Sequence, residues 1–211
     1  MEFRIKYITE DIKLSCYDDK LFKTEVVFDH HMLVWFISGE TKIIQADQNY
    51  LFRTGDIFLI PRNQLATIIN YPKDGQPHKS VVMHLSIDRL RQFYAGINVN
   101  NKIAASENIR VFPKHPLLES CLASLLPYFD VQEKFLENIA SLKITEAISV
   151  LRTIDKDIDH ILANFEEPYK INLDDFMQNN FMFNMPLEKF AYLTGRSLTT
   201  FKRDFQKLYN Q

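Results

Sequence analysis

The run from Met185 to Phe205 admits fewer folds than any other stretch of this chain. Pro186 lacks a backbone N–H, which costs nothing in the first turn of a helix. Leu187, Phe190, Ala191 and Tyr192 then crowd one side, with Glu188 and Lys189 on the other. Gly195 follows where a helix that stops sharply needs a left-handed residue. Ser197 next offers a hydroxyl to the free N–H groups of a second helix, along which Leu198, Phe201, Phe205 and Leu208 recur as a buried stripe. The result is a helix-turn-helix by its mechanics.

The stripe leaves Thr199, Thr200, Lys202, Arg203, Gln206 and Lys207 facing outward. Thr199, Lys202 and Arg203 fall within one turn near the N-terminus, the end through which a helix in a major groove meets base edges. An arginine takes guanine O6 and N7 bidentately, a lysine suits guanine or phosphate, and a threonine methyl suits thymine. Arg196 and Lys207 are expected to hold phosphates, a sequence-blind role. Between Pro186 and Gln211 the local charge is +3, within a chain of net charge −2, so the remainder is mildly acidic. That distribution fits a nucleic-acid reader attached to something else.

The something else is built differently. Residues 4 to about 84 read as strands: Lys23–Val27, Leu33–Ile37, Thr41–Ala46, Ile57–Ile60, Ala66–Asn70 and Ser80–Ser86 are rich in Val, Ile and Phe and separated by turn signals. Many short strands at such spacing predict a closed barrel or a sandwich. The period then changes. Helices are expected over Ile87–Tyr94 and Pro116–Tyr128, followed by one or two amphipathic helices between Val131 and Phe165, with Phe135, Ile139, Leu142, Ile148 and Leu151 among their apolar positions. Glu166–Glu167–Pro168 marks a boundary, which divides the chain into 1–165 and 166–211. Asn172 then caps a short helix through Asn180, with Leu173, Phe176, Met177 and Phe181 as its buried side. The fold class is α+β.

The pattern Leu187–Glu188–x–Phe190–Ala191–x–Leu193–x–Gly195–x–Ser197–x–x–x–Phe201–x–Arg203–x–Phe205 resembles the first helix-turn-helix of AraC-family transcription regulators. Gly55–x5–Pro61, with Asn70 beyond it, resembles the second motif of a cupin barrel, and Leu33–Glu40 resembles the strand and turn before it in the regulatory barrel of that family. The resemblance implies a cupin-like β-barrel, trailing helices and a partial DNA-binding domain. In that family a long helix joins the first motif to a second one, and neither appears in this sequence, so tight DNA binding is not expected of it alone. The implied partners are double-stranded DNA, a small-molecule effector or a regulatory protein, and a second copy of the chain in a homodimer paired through the trailing helices. Trp35, Phe36, Phe58 and His84 are candidates to line a ligand pocket in the barrel.

Enzymatic chemistry is not expected. A metal-binding cupin needs a His–x–His, a Glu and a later His. Met32 stands at the Glu position and Ala66 at the later His position, while His30 and His31 are adjacent and alternate to opposite faces. No metal or other cofactor is implied. Cys16 and Cys121 lack CxxC spacing and read as reduced thiols. The first residues carry no apolar leader, and no apolar run approaches the ~20 residues needed to span a bilayer, so a cytoplasmic protein without membrane contact is expected. The alternatives are a module that pairs with a full-length regulator without touching DNA, and a cupin enzyme.

Overall fold

The computed structural model describes residues 3–17, 21–99, 108–131 and 136–210. In chain order these form β1 (Phe3–Thr9), β2 (Ile12–Tyr17), β3 (Phe22–Phe28), β4 (His31–Ser38), β5 (Glu40–Ile44), β6 (Asn49–Arg53), β7 (Ile57–Ile60), β8 (Gln64–Tyr71), β9 (His78–Leu85), α1 (Ile87–Tyr94) and β10 (Arg110–Phe112). There follow α2 (Pro116–Ala123), a 3-10 turn at Leu126–Asp130, α3 (Leu136–Ile154), α4 (Asp159–Leu162), α5 (Leu173–Asn180), α6 (Leu187–Leu193) and α7 (Leu198–Tyr209). Phe135 lies outside the described residues.

The strands make two stacked sheets and not the expected closed barrel. A six-stranded sheet runs β1-β2-β9-β4-β7-β10 and a four-stranded sheet runs β3-β8-β5-β6. Among the described residues no ladder joins them, because large rings hold the sheets at side-chain distance. Phe36, Phe58 and Phe52 stack between them, with Phe52 and Phe58 centroids 3.6 Å apart, and Tyr50 extends the row. Gly39 turns the chain from one sheet to the other at φ +82°, where a Cβ would lie 2.7 Å from the His78 Cα.

The pairing Val34↔Phe58 and Trp35↔Ile57 assigns the two faces of the larger sheet. Leu33, Ile57, Leu59, Val81, Met83 and Leu85 meet α1, α2 and α3 on one side. Val34, Phe36, Phe58, Ile60 and Val82 meet Phe28, Ile43, Phe52 and Ala66 of the smaller sheet on the other. Burial on both faces explains the unbroken apolar run Ile57–Ile60. The smaller sheet also uses both faces: Val27 and Leu65 turn away from the sandwich and join Leu173, Phe183, Phe190, Ala191, Leu193 and Phe201 in a third core.

Five apolar residues depart from the expected burial. Leu208 is 49% exposed, because Phe205 is continued at helical spacing by Tyr209, whose ring lies 4.6 Å away and whose hydroxyl donates to Asp174 at 2.6 Å. Phe181 is 71% exposed, since α5 ends there and Phe183 takes the buried place. Leu187 and Tyr192 are exposed while Leu193 is buried, which rotates the packed face of α6 from the expected side. Leu142 is exposed on α3, whose inner face is Ala140, Ile144, Ala147, Ile148 and Leu151.

Candidate functional site

Two places carry the candidate residues, the outward face of α7 and the space between the sheets. The α6–α7 turn forms as its residues dictate. Gly195 has φ +63°, and a Cβ there would lie 2.3 Å from the Tyr169 carbonyl carbon and 2.5 Å from the Lys170 nitrogen. Ser197 caps α7 by accepting the Thr200 N–H at 3.3 Å. Thr200 is held in that cap, its hydroxyl oxygen 3.0 Å from the Ser197 hydroxyl.

Thr199, Lys202, Arg203, Gln206 and Lys207 are all exposed on the outer side of α7. Arg203 is 62% exposed and lies back on Asp204, donating to its Oδ1 at 3.3–3.4 Å. Lys207 sits in the last turn, where a cation complements the helix dipole. Arg196 departs from its expected phosphate-holding role. Its side chain is 6% exposed, donating to Asp204 Oδ2 at 3.2 Å and to the carbonyls of Ile171 and Thr194 at 3.0 and 2.8 Å. It ties the turn to the segment before α5, and its hydrogen bond is the leading cause of the lowered Asp204 pKa. A basic residue beside a Gly turn looks the same in sequence whether it faces out or staples the fold.

The space between the sheets holds a small cavity of about 110 Å³. Phe36 and Phe58 line it, with Met32, Val34, Ile43 and Ile60. Trp35 does not, because alternation along β4 turns it toward the helices with Leu33 and Ile37. His84 sits at the end of β9 with its ring 6.5 Å from His30, outside the cavity lining. Burial first, then Lys13 and His30, hold His84 at a pKa of about 4. Met32 and Ala66, at the positions where the resemblance would put metal ligands, both adjoin this apolar interior.

One end of the cavity is polar, which sequence reading missed. Thr41 donates to Asn70 Oδ1 at 2.5 Å and so accepts from His78 Nε2 at 2.9 Å, leaving the proton on that nitrogen. Burial lowers the His78 pKa to about 4, so the ring is neutral. Asn70 also bonds Tyr17, and Lys13, Ser15 and Ser80 complete the lining. Inward polar residues on half-polar strands betray themselves only once the inward face is known.

The helix pair is tied to the smaller sheet by polar contacts around Val27 and Leu65. Lys189 Nζ meets both oxygens of Asp29 at 2.7 and 2.9 Å, and the Asn184 N–H donates to Glu25 Oε2 at 2.6 Å. Arg62, directly after Pro61, donates through Nη2 to the carbonyls of Glu166 at 2.5 Å and Asn164 at 3.3 Å.

A family model described as the ExsA N-terminal regulatory domain matches residues 31–157, more than half of the chain. No curated protein matches it. Among solved structures, an apo ToxT variant from Vibrio cholerae strain SCE256 superposes with a TM-score of 0.50 at 13% identity, over 96% of this chain and 95% of that one. ToxT from Vibrio cholerae in another crystal form gives a TM-score of 0.52 at 11% identity, over 93% and 76%. At these identities the likeness is one of fold. No helix among the described residues is long and apolar enough to cross a membrane.

Proposed function

The chain belongs to the ExsA N-terminal regulatory domain family, and from that premise we propose that it is a cytoplasmic regulator whose sandwich receives a signal and whose helix pair reads double-stranded DNA. Regulation and not catalysis is the business of this family, and the sequence is that of an AraC-type regulator chain. In this reading residues 1–165 are the regulatory and pairing part and residues 166–211 the DNA-reading part. The observation that carries it is the outward row Thr199, Lys202, Arg203 and Lys207 on a helix whose opposite side is packed through Phe201. Thr199, Lys202 and Arg203 meet base edges, and Lys207 meets a phosphate. Arg203 must leave Asp204 to do so, and an exposed pair of that kind is worth little enough to exchange.

The test is fluorescence anisotropy of an otherwise complete regulator, carrying both helix-turn-helix motifs of the family, on a duplex that it enriches from a random pool. Arg203→Ala is expected to cost about 1–3 kcal/mol on that duplex and little on unselected DNA. Equal loss on both would remove Arg203 as a base reader.

A homodimer through α3 is supported by that helix's outer side. Thr145, Ser149 and Thr153 spend their hydroxyls on carbonyls four residues back, at 2.8–2.9 Å, and present carbon beside exposed Leu142. The small volume between the sheets, against the roughly 300–1,000 Å³ of usual ligand pockets, favours a protein partner over a large molecule held inside the sandwich.

A further inference from the structure

A second and larger cavity lies between the smaller sheet and the connecting segment that leads to α5. Its volume is about 560 Å³, within the ligand-pocket range, and His31, Gln45, Asp47, Arg62, Asn63 and Glu166 are among its lining. Two buried donors at this cavity are unsatisfied. His31 is 3% exposed and accepts the Arg62 backbone N–H on Nδ1 at 3.1 Å, so its proton is on Nε2, and that nitrogen has no partner among the described residues. Burial and the neighbouring Arg62 lower the His31 pKa to about 3 and keep the ring neutral. Arg62 is 6% exposed, and its Nη1 likewise has no hydrogen-bond partner. A buried donor left unpaired costs about 1–3 kcal/mol, more when charged, so a pair of them asks for an acceptor.

Polar groups give the larger share of the remaining lining, with amides from Gln45, Asn63, Gln64 and Asn179 and carboxylates from Asp47, Glu166 and Glu167, and apolar side chains such as Leu65, Ile161 and Phe176 complete it. Amides and carboxylates suit hydroxyl groups, whereas a purely aliphatic tail would leave those polar groups without partners. Three carboxylates against one guanidinium would also repel a ligand carrying several negative charges. We propose that this cleft is a binding site for a small monocarboxylate bearing several hydroxyls, a sugar-acid type of molecule, whose carboxylate takes Arg62 and His31 and whose hydroxyls take the amides and carboxylates of the rim.

Arg62 already spends Nη2 on the carbonyls of Asn164 and Glu166. A carboxylate that engages both Nη atoms must draw the guanidinium from those carbonyls. Occupancy of the cleft and the grip on the segment before α5 therefore compete, and the ligand loosens the tie between the sandwich and the helix pair. This deepens the signal-receiving part of the reading above and is measured without DNA, so a failure of DNA recognition leaves it standing.

The experiment is calorimetric titration of the whole chain with D-gluconate, with glucitol, which has the hydroxyls without the carboxylate, and with octanoate, which has the carboxylate without hydroxyls. Saturable binding of gluconate at least tenfold tighter than either control is expected. Absence of gluconate binding, or equal binding of octanoate, overturns the proposal on the unaltered protein. Asn63 holds φ +64°, so Asn63→Gly removes the amide and keeps the backbone; it should weaken gluconate about tenfold, as should Arg62→Lys. Unchanged affinity in both variants overturns the location. Trypsin cleavage after exposed Lys170 should accelerate with gluconate, and an unchanged rate at saturation overturns the competition for Arg62.

Discussion

The smaller sheet is packed on both faces, and the two contacts are made in opposite ways. Toward its partner sheet it presents Phe28, Ile43, Phe52 and Ala66 to a matching apolar surface, sealed by stacked rings. Toward the helix pair it offers Val27 and Leu65, and the remaining ties are Glu25, Asp29 and Arg62 meeting a backbone N–H, a lysine and two carbonyls. Apolar burial is non-directional and large, roughly 25 cal/mol per Å². Exposed ion pairs are worth about 0–1 kcal/mol each and are screened by salt. The sandwich is thus fixed by its core, whereas the seating of the helix pair combines a small apolar contact through Val27 and Leu65 with polar ties that a ligand, a partner or DNA can replace.

The largest break of this contrast is at Phe58, which is fully buried between the sheets. Phe58→Ala should cost about 3–5 kcal/mol, read as a lower denaturation midpoint in the fluorescence of Trp35, the single tryptophan, which sits on the same sheet. Next comes Gly195→Ala. A left-handed alanine and a Cβ 2.3 Å from the Tyr169 backbone should together cost about 2–5 kcal/mol. The loss is expected as reduced amide-exchange protection from Leu187 to Tyr209, with the Trp35 midpoint held. A Trp35 midpoint that falls equally would mean that the two regions unfold as one unit. The smallest effect is at the seam. Lys189→Ala removes the Asp29 pair, which is partly exposed on both sides, and should lower calorimetric stability by less than about 1 kcal/mol at low salt. That difference should vanish in 1 M salt, and its persistence would show that packing and not charge holds the seam.

Much of this was legible in the letters because it is local. Pro186, Gly195, Ser197 and Asn172 each satisfy or free particular backbone groups within one turn, and the two helix caps formed on them. What failed was non-local. Leu208 and Phe181 continue helical stripes by spacing, yet Tyr209 and Phe183 found the better partners. Trp35 and Phe36 are adjacent aromatics on one strand, and only the register with Ile57 and Phe58 tells which enters the sandwich. Arg196 and Arg203 are both arginines of the motif, but one is enclosed by three acceptors and the other is free to turn outward.

By itself, then, the sequence determined the α+β composition, the change of period after residue 85, the turn at Gly195 and the basic face of α7, since all of these follow from backbone conformation and side-chain period within a few residues. The tertiary structure alone decided that the strands stack as two sheets and not as a closed barrel, that Arg196 is a staple, that a polar network from His78 to Tyr17 lines the sandwich, and that Arg62 and His31 face a cleft at the connecting segment. Those outcomes depend on which distant groups compete for the same face, acceptor or volume, and that competition exists only once the chain is folded.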